Sequence, residues 1–271
     1  MISLKSRIAQ GGKVYWTTLT IADEQMAILA KAAGYDFVVI DALNGVFSCM
    51  ENTAKLVRTC NQIGLPCIYR SNRDDDLVRA LDLGANGVAC MNVRTRQDME
   101  EMVRRVYFHP KGDRRPNPFT SMGHFGIGNF SQIKTRCNDE TVLFVFVEEN
   151  VNTFETMEDI MSVPGVDIAY LGHFVSLRYP ETIERARQFT QLADRNRVAV
   201  AGFYYGTDDL KYREADALKF ELQRPTVVGV SVDCYLAYKG LLGGYQEATR
   251  FSEQFRTSNV KPDLNDEVVP R

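Results

Sequence analysis

Eight times along the chain a short apolar run is followed by a stretch with helical periodicity, and this alternation restricts the fold more than any other feature. The runs are 13–19 (KVYWTTL), 37–41 (FVVID), 66–70 (PCIYR), 87–91 (GVACM), 142–148 (VLFVFVE), 167–171 (DIAYL), 198–204 (VAVAGFY) and 227–233 (VVGVSVD). They lack the strict alternation of a half-exposed strand and suit strands buried on both faces, as in a parallel sheet wrapped by helices. The helical stretches cover 23–33, 51–63, 74–83, 95–106, 153–161, 180–195, 208–222 and 235–254. Eight strand–helix units in 271 residues predict an α/β fold closed into a (β/α)8 TIM barrel, for which about 250 residues is usual. An open doubly wound sheet is the alternative. No GxGxxG loop follows the first run, and GGK at 11–13 lacks the spacing of a P-loop.

One barrel domain is therefore expected over 1–254, with 255–271 a loose tail or an arm that orders on another subunit. The longest irregular piece, 108–136, contains Pro110, Pro116, Pro118, His109 and His124. It joins the fourth and fifth units, and a lid over the strand carboxyl ends is the expectation.

The 35 acidic and 32 basic residues leave a net charge of −3, which excludes a strongly basic nucleic-acid binder. The longest wholly apolar run, Val142–Val147, is far short of the roughly 20 residues of a membrane-spanning helix. The amino-terminal MISLKSRIAQ has no apolar core with a cleavage site, so no secretory signal is expected. Cys49, Cys60, Cys67, Cys90, Cys137 and Cys234 form no CxxC pair. Free thiols in a reducing cytoplasm are the expected reading. The expected partner is a small carboxylate, not nucleic acid or membrane.

Barrel active sites form where strands end. The runs end in Asp41, Arg70, Glu148 and Asp233, and a glycine-led turn begins at Gly172. A cation with converging carboxylates suits an oxo-acid or proton transfer. Helix capping or a strand-end hydrogen bond is the structural alternative for Asp41 and Asp233. For Asp82 that alternative is an ion pair with Arg70 or Arg79. A buried arginine without a partner is costly, which favours function for Arg70. His173 follows a strand and falls in the expected mouth, His124 falls in the expected lid, and His109 reads as structural. No nucleophile elbow is present.

Four segments, GYDFVVIDALNG (34–45), IYRSNRDDDLVRALDLGANGV (68–88), FVEENVNTFETMEDIMSVPGVDIAYLG (146–172) and VGVSVD (228–233), resemble the HpcH/HpaI aldolase family of citrate lyase-like enzymes. The likeness runs from about residue 4 to 250, and PGVD followed after four residues by Gly172 is its most specific part. It implies a TIM barrel of the phosphoenolpyruvate/pyruvate group, a homo-oligomer (trimer or hexamer) with exchanged C-terminal helices, and reversible cleavage of a hydroxy-oxo-acid into pyruvate and an aldehyde. A divalent Mg²⁺, Mn²⁺ or Co²⁺ normally assists. By position, the resemblance makes Arg70 the substrate arginine, Asp82 the aspartate of an LDxGA motif, Asp41 the first residue of a DxEH motif and Glu148 a metal ligand. Trp16 becomes a pocket tryptophan after the first strand, and Gly172 opens the turn whose N–H groups receive the substrate carboxylate.

The departures fall on the chemistry. Asn44 stands where the family has its histidine, and an amide is no general base. Val175 replaces an aspartate metal ligand, and Phe146 stands where a glutamine is frequent. One carboxylate anchors Mg²⁺ poorly, so the expectation is either no metal or a weakly held Mg²⁺ or Mn²⁺. Phe146, Phe174 and Val175 make the pocket apolar, and Asn44 and His173 are new polar groups beside Arg70. Asp41 or Glu148 would move the proton, and His173 would assist. Three functions compete: a lyase-type enzyme acting on a carboxylate or 2-oxo acid; a metal-independent cyclase, dehydratase or condensing enzyme of specialised metabolism; and a non-catalytic pseudo-aldolase.

Overall fold

The computed structural model describes residues 2–45, 50–91, 93–148, 154–172, 180–207 and 210–257. The order is α1 (Leu4–Ala9), β1 (Val14–Leu19), α2 (Glu24–Ala32), β2 (Phe37–Asp41), α3 (Met50–Gln62), β3 (Cys67–Ser71), α4 (Asp74–Leu83), β4 (Gly87–Cys90), α5 (Arg96–Val106), α6 (Phe130–Glu140), β5 (Val142–Glu148), α7 (Phe154–Met161), β6 (Ile168–Gly172), α8 (Pro180–Asn196), β7 (Ala199–Tyr204), α9 (Leu210–Gln223), β8 (Val227–Val232) and α10 (Asp233–Thr257). The eight strands close a barrel in sequence order, every neighbouring pair parallel. The expected TIM barrel is thus the observed one. The chain divides into two units, residues 1–233 and 234–271. In the second, α10 exposes Tyr238, Leu241, Tyr245 and Phe251.

Strand alternation sorts the core into two shells. Val38, Ile40, Cys67, Tyr69, Val88, Leu143 and Val145 pack outward with helical residues such as Leu56, Leu77 and Phe189. Trp16, Phe37, Val39, Ile68, Ala89, Phe144, Phe146, Tyr170 and Ala201 fill the interior. Trp16 stacks on Phe37 with centroids 5.6 Å apart and meets Phe144 edge-on at 5.9 Å and Phe203 at 6.0 Å. Gly229 makes room for this cluster, because a Cβ there would lie 2.4 Å from both Phe203 Cδ2 and Trp16 Cζ2. Gly229→Ala is expected to destabilise the barrel by about 1–3 kcal/mol through overpacking. A urea melt checks this, and an unchanged midpoint would mean that the rings shift freely.

The amino-terminal ends of the strands, the barrel floor, carry a repeated device. Before β2, β4 and β6 the sequence reads Gly-x-Asp/Asn, and Gly34, Gly84 and Gly165 take left-handed φ of 93°, 103° and 111°, a region that favours glycine. The polar residue two positions on then accepts a backbone N–H from the preceding strand. Asp36 Oδ2 takes that of Tyr15 at 2.7 Å, Asn86 Oδ1 that of Cys67 at 2.9 Å, and Asp167 Oδ2 that of Leu143 at 2.9 Å. Helix α1 closes the floor. Leu4 and Ile8 enter the interior cluster, Arg7 pairs with Asp36, and Lys5 Nζ lies 3.0 Å from Asp167 Oδ2. Lys5 also donates to Tyr107 Oη and the Thr141 carbonyl.

Residues 108–136 are on the floor, not over the mouth. They follow α5, which returns to the amino-terminal ends, and precede β5. Met122 N–H donates to the Asp82 carbonyl at 3.1 Å near the end of α4. Phe108, Met122 and Ile133 form a separate small core. Nor is the region's end irregular, since α6 begins at Phe130, with Asn129 Oδ1 accepting from the N–H groups of Ser131 and Gln132.

Candidate active site

At the opposite end, strands β2 and β3 bring the two central charges together. Asp41 is the register partner of Arg70, and Arg70 Nη1 lies 3.4 Å from Asp41 Oδ2. Asp41 is 2% exposed. Its Oδ1 accepts the N–H groups of Leu43 at 2.9 Å and Asn44 at 3.2 Å, and its Oδ2 accepts Asn44 Nδ2 at 3.2 Å. Four donors thus fill the roughly four acceptor positions of a carboxylate. Asn44 has taken up one oxygen, and Arg70 holds the same one.

The Arg70 guanidinium is placed over the Phe146 ring, with Cζ 4.7 Å from its centroid. Its Nε–H is buried and, among the described residues, meets no acceptor. An unsatisfied buried donor costs about 1–3 kcal/mol, more for a charged group, and Arg114 Nε on the floor is in the same condition. Beyond Phe146 the wall continues through Tyr170, 5.1 Å away between centroids. Sequence reasoning missed Tyr170; the signal was its even spacing from Ile168, which puts both side chains on the inner face.

At the β8–β1 seam the register slips between Trp16 and Thr18, and Ser231 takes φ +50°. A bulge bends its strand. Asp233 then reaches across the seam, its Oδ1 accepting from the Thr20 N–H at 2.9 Å and hydroxyl at 2.6 Å and its Oδ2 from the Ile21 N–H at 3.0 Å. For Asp233, the strand-end hydrogen bond is the observed arrangement.

The other anticipated residues separate into three groups. Glu148 ends β5 opposite Gly172 of β6, so both backbones stand at the mouth; the Glu148 side chain is outside the described residues, as are His173, Phe174 and Val175. Trp16 lies within β1, not after it, and is 2% exposed, because the aromatic cluster fills the barrel's middle. Asp82 and His124 sit on the floor. Asp82 pairs with the buried Arg114, not with Arg70 or Arg79; Arg79 instead meets Asp76 at 3.2 Å. His124 has a left-handed φ of 53° in a single 3-10 turn, and its Nε2 is 3.4 Å from Arg136 Nη2.

Among the described residues no three of His, Cys, Asp and Glu gather as a metal site, and Asp41 has no spare oxygen to offer one. Free thiols are present at Cys60, Cys67, Cys90, Cys137 and Cys234. Burial pushes the Cys90 thiol far up, and Cys67 is raised by its hydrogen bond with Cys60 and then by burial, so neither is a ready nucleophile. Among the described residues no helix is long and apolar enough to cross a membrane.

A barrel with an arginine–aspartate pair at its mouth defines the class, and comparison gives the family. Residues 17–235 match the HpcH/HpaI aldolase/citrate lyase family, and the chain belongs to it. It is 24% identical over 215 residues to a hydroxypyruvate/pyruvate aldolase of Roseobacter denitrificans, spanning 76% of this chain and 83% of that one. The structure resembles that of an HpcH/HpaI aldolase/citrate lyase family protein from Burkholderia cenocepacia, with a TM-score of 0.77, 22% identity, and coverage of 91% and 98%. It also resembles the citrate synthase SbnG, with a TM-score of 0.76, 22% identity, and coverage of 93% and 100%.

Proposed function

We propose that the protein is an aldolase- or lyase-type enzyme that makes or breaks a carbon–carbon bond of a 2-oxo acid, with Arg70 holding the carboxylate. The observation that carries this is a buried arginine, braced by Asp41 and Phe146, whose Nε–H meets no acceptor among the described residues. A carboxylate is the acceptor a guanidinium matches best. Family membership supplies the reaction class, and 2-oxo acids are what its aldolase relatives are named for. Asp41 and Asn44 orient the arginine. By their places in the sequence, at and just after strand ends, Glu148 and His173 are the candidates for moving a proton. Glu148 is also the carboxylate that would hold Mg²⁺ or Mn²⁺, and such an ion, when bound, supplies positive charge against the charge developing on the oxo-acid.

The test is incubation of the purified protein with 4-hydroxy-2-oxo acids, with and without Mg²⁺ or Mn²⁺, following pyruvate release. Release that requires the metal supports the reading. No release, and no condensation of pyruvate with aldehydes, sinks it. A metal-independent condensing, cyclising or dehydrating enzyme is the second reading, favoured by the Phe146–Tyr170 wall; turnover unchanged in EDTA would select it. Ligand binding without any turnover would leave the pseudo-aldolase. The exposed Tyr238, Leu241, Tyr245 and Phe251 of α10 support a homo-oligomer, trimer or hexamer, and the free thiols support a reducing cytoplasm.

A further inference from the structure

We propose that Phe146 is a positioning residue for Arg70, its ring fixing the plane in which the guanidinium receives the substrate carboxylate. This rests on the reading of Arg70 given above. Among the described residues the polar brace on Arg70 is slight, one Nη1–Oδ2 contact with Asp41 at 3.4 Å, beyond the usual 2.7–3.2 Å of an N–H···O bond and without the two-point grip that sets the orientation of an arginine fork. Phe146 supplies the second constraint. Its centroid lies 4.7 Å from Arg70 Cζ, inside the roughly 6 Å reach of a cation–π contact.

The ring is itself held still. It stacks on Phe144 at 4.7 Å with planes 29° apart, meets Tyr170 at 5.1 Å, and is 8% exposed. The way across is open because Arg70 is in register with Ala89 of β4, and Ala89 with Phe144 of β5. Only a methyl group stands between the arginine's strand and the aromatic strand at that level. Asp41 at Nη1 and the Phe146 ring at Cζ leave the Nε–H without a partner among the described residues.

The experiment is calorimetric titration of the full chain with oxalate and with pyruvate, each with and without Mg²⁺. Phe146→Leu is expected to weaken binding roughly 5- to 30-fold, the scale of a partly desolvated cation–π contact. Phe146→Tyr restores affinity to within about twofold, since its ring keeps the attractive face. In an Arg70→Lys background, Phe146→Leu adds less than about twofold, because coupled residues are not additive. A purely packing role would instead give the same loss in both backgrounds, tracking thermal stability. That result, or an unchanged Kd in Phe146→Leu, overturns the proposal while leaving the carboxylate reading intact. Phe146→Met serves in the same comparison should the leucine variant fail to fold. A wild-type protein that binds neither acid overturns the Arg70 reading, and the proposal with it.

Discussion

Arg70→Ala is expected to abolish turnover and to weaken carboxylate binding by about 2–5 kcal/mol, the cost of truncating one side of a desolvated charge pair, or roughly 30- to 4000-fold at 1.4 kcal/mol per decade. The fold should survive, because Asp41 keeps three of its four donors, those from Leu43 and Asn44. That separation makes the variant informative. Arg70→Lys keeps the charge but loses the planar fork, so it should recover part of the binding and little of the orientation. Titration with pyruvate beside a thermal melt checks both halves. Undiminished turnover in Arg70→Ala would place the chemistry elsewhere in the barrel.

The second large effect is expected at the floor, far from any substrate. Lys5→Met leaves Asp167 buried without its cation and should cost about 3 kcal/mol. The loss depends on pH. Burial already raises the Asp167 carboxyl above the ordinary range, with Lys5 the leading opposing influence. A carboxyl raised by folding favours the folded state below its unfolded value, about 3.9, and loses that contribution as pH climbs through the folded value. Without Lys5 the folded value rises further. The variant's deficit should therefore be small near pH 4 and grow towards neutrality. Adding Asp167→Asn should remove the pH dependence and recover part of the stability. Urea midpoints at acid and neutral pH decide it, and a deficit constant with pH would show that Lys5 acts by packing alone.

Much of the scaffold was legible because parallel strands are short, apolar and separated by helices. The β2, β5 and α4 boundaries read from the sequence coincide with those observed, since each strand ends in a charged residue and α4 ends at Gly84 with φ +103°. What escaped were two helices outside the eight strand–helix units. α1 is six residues long, too short to show a period. α6 follows a proline- and glycine-rich stretch that reads as loop, although Asn129 is a capping residue of the usual kind. The site was half legible. The charged ends of apolar runs pointed to Asp41 and Arg70, but no sequence pattern reveals that Asn44 donates to Asp41 or that Phe146 lies against Arg70. Asp82 and His124 were misplaced for one reason: a helix returns the chain to the floor, so the last turn of α4 and the residues after α5 precede strands and do not follow them.

The Gly-x-Asp/Asn clips also partition the barrel mechanically. They tie β1 to β2, β3 to β4 and β5 to β6 at the floor, whereas β7 and β8 are entered through Arg197 and Arg224 in left-handed conformations without glycine. The final seam is fastened from the other rim, by Asp233. The cylinder is thus pinned at both rims, three strand pairs by clips at the floor and the closing β8–β1 seam by Asp233 at the mouth.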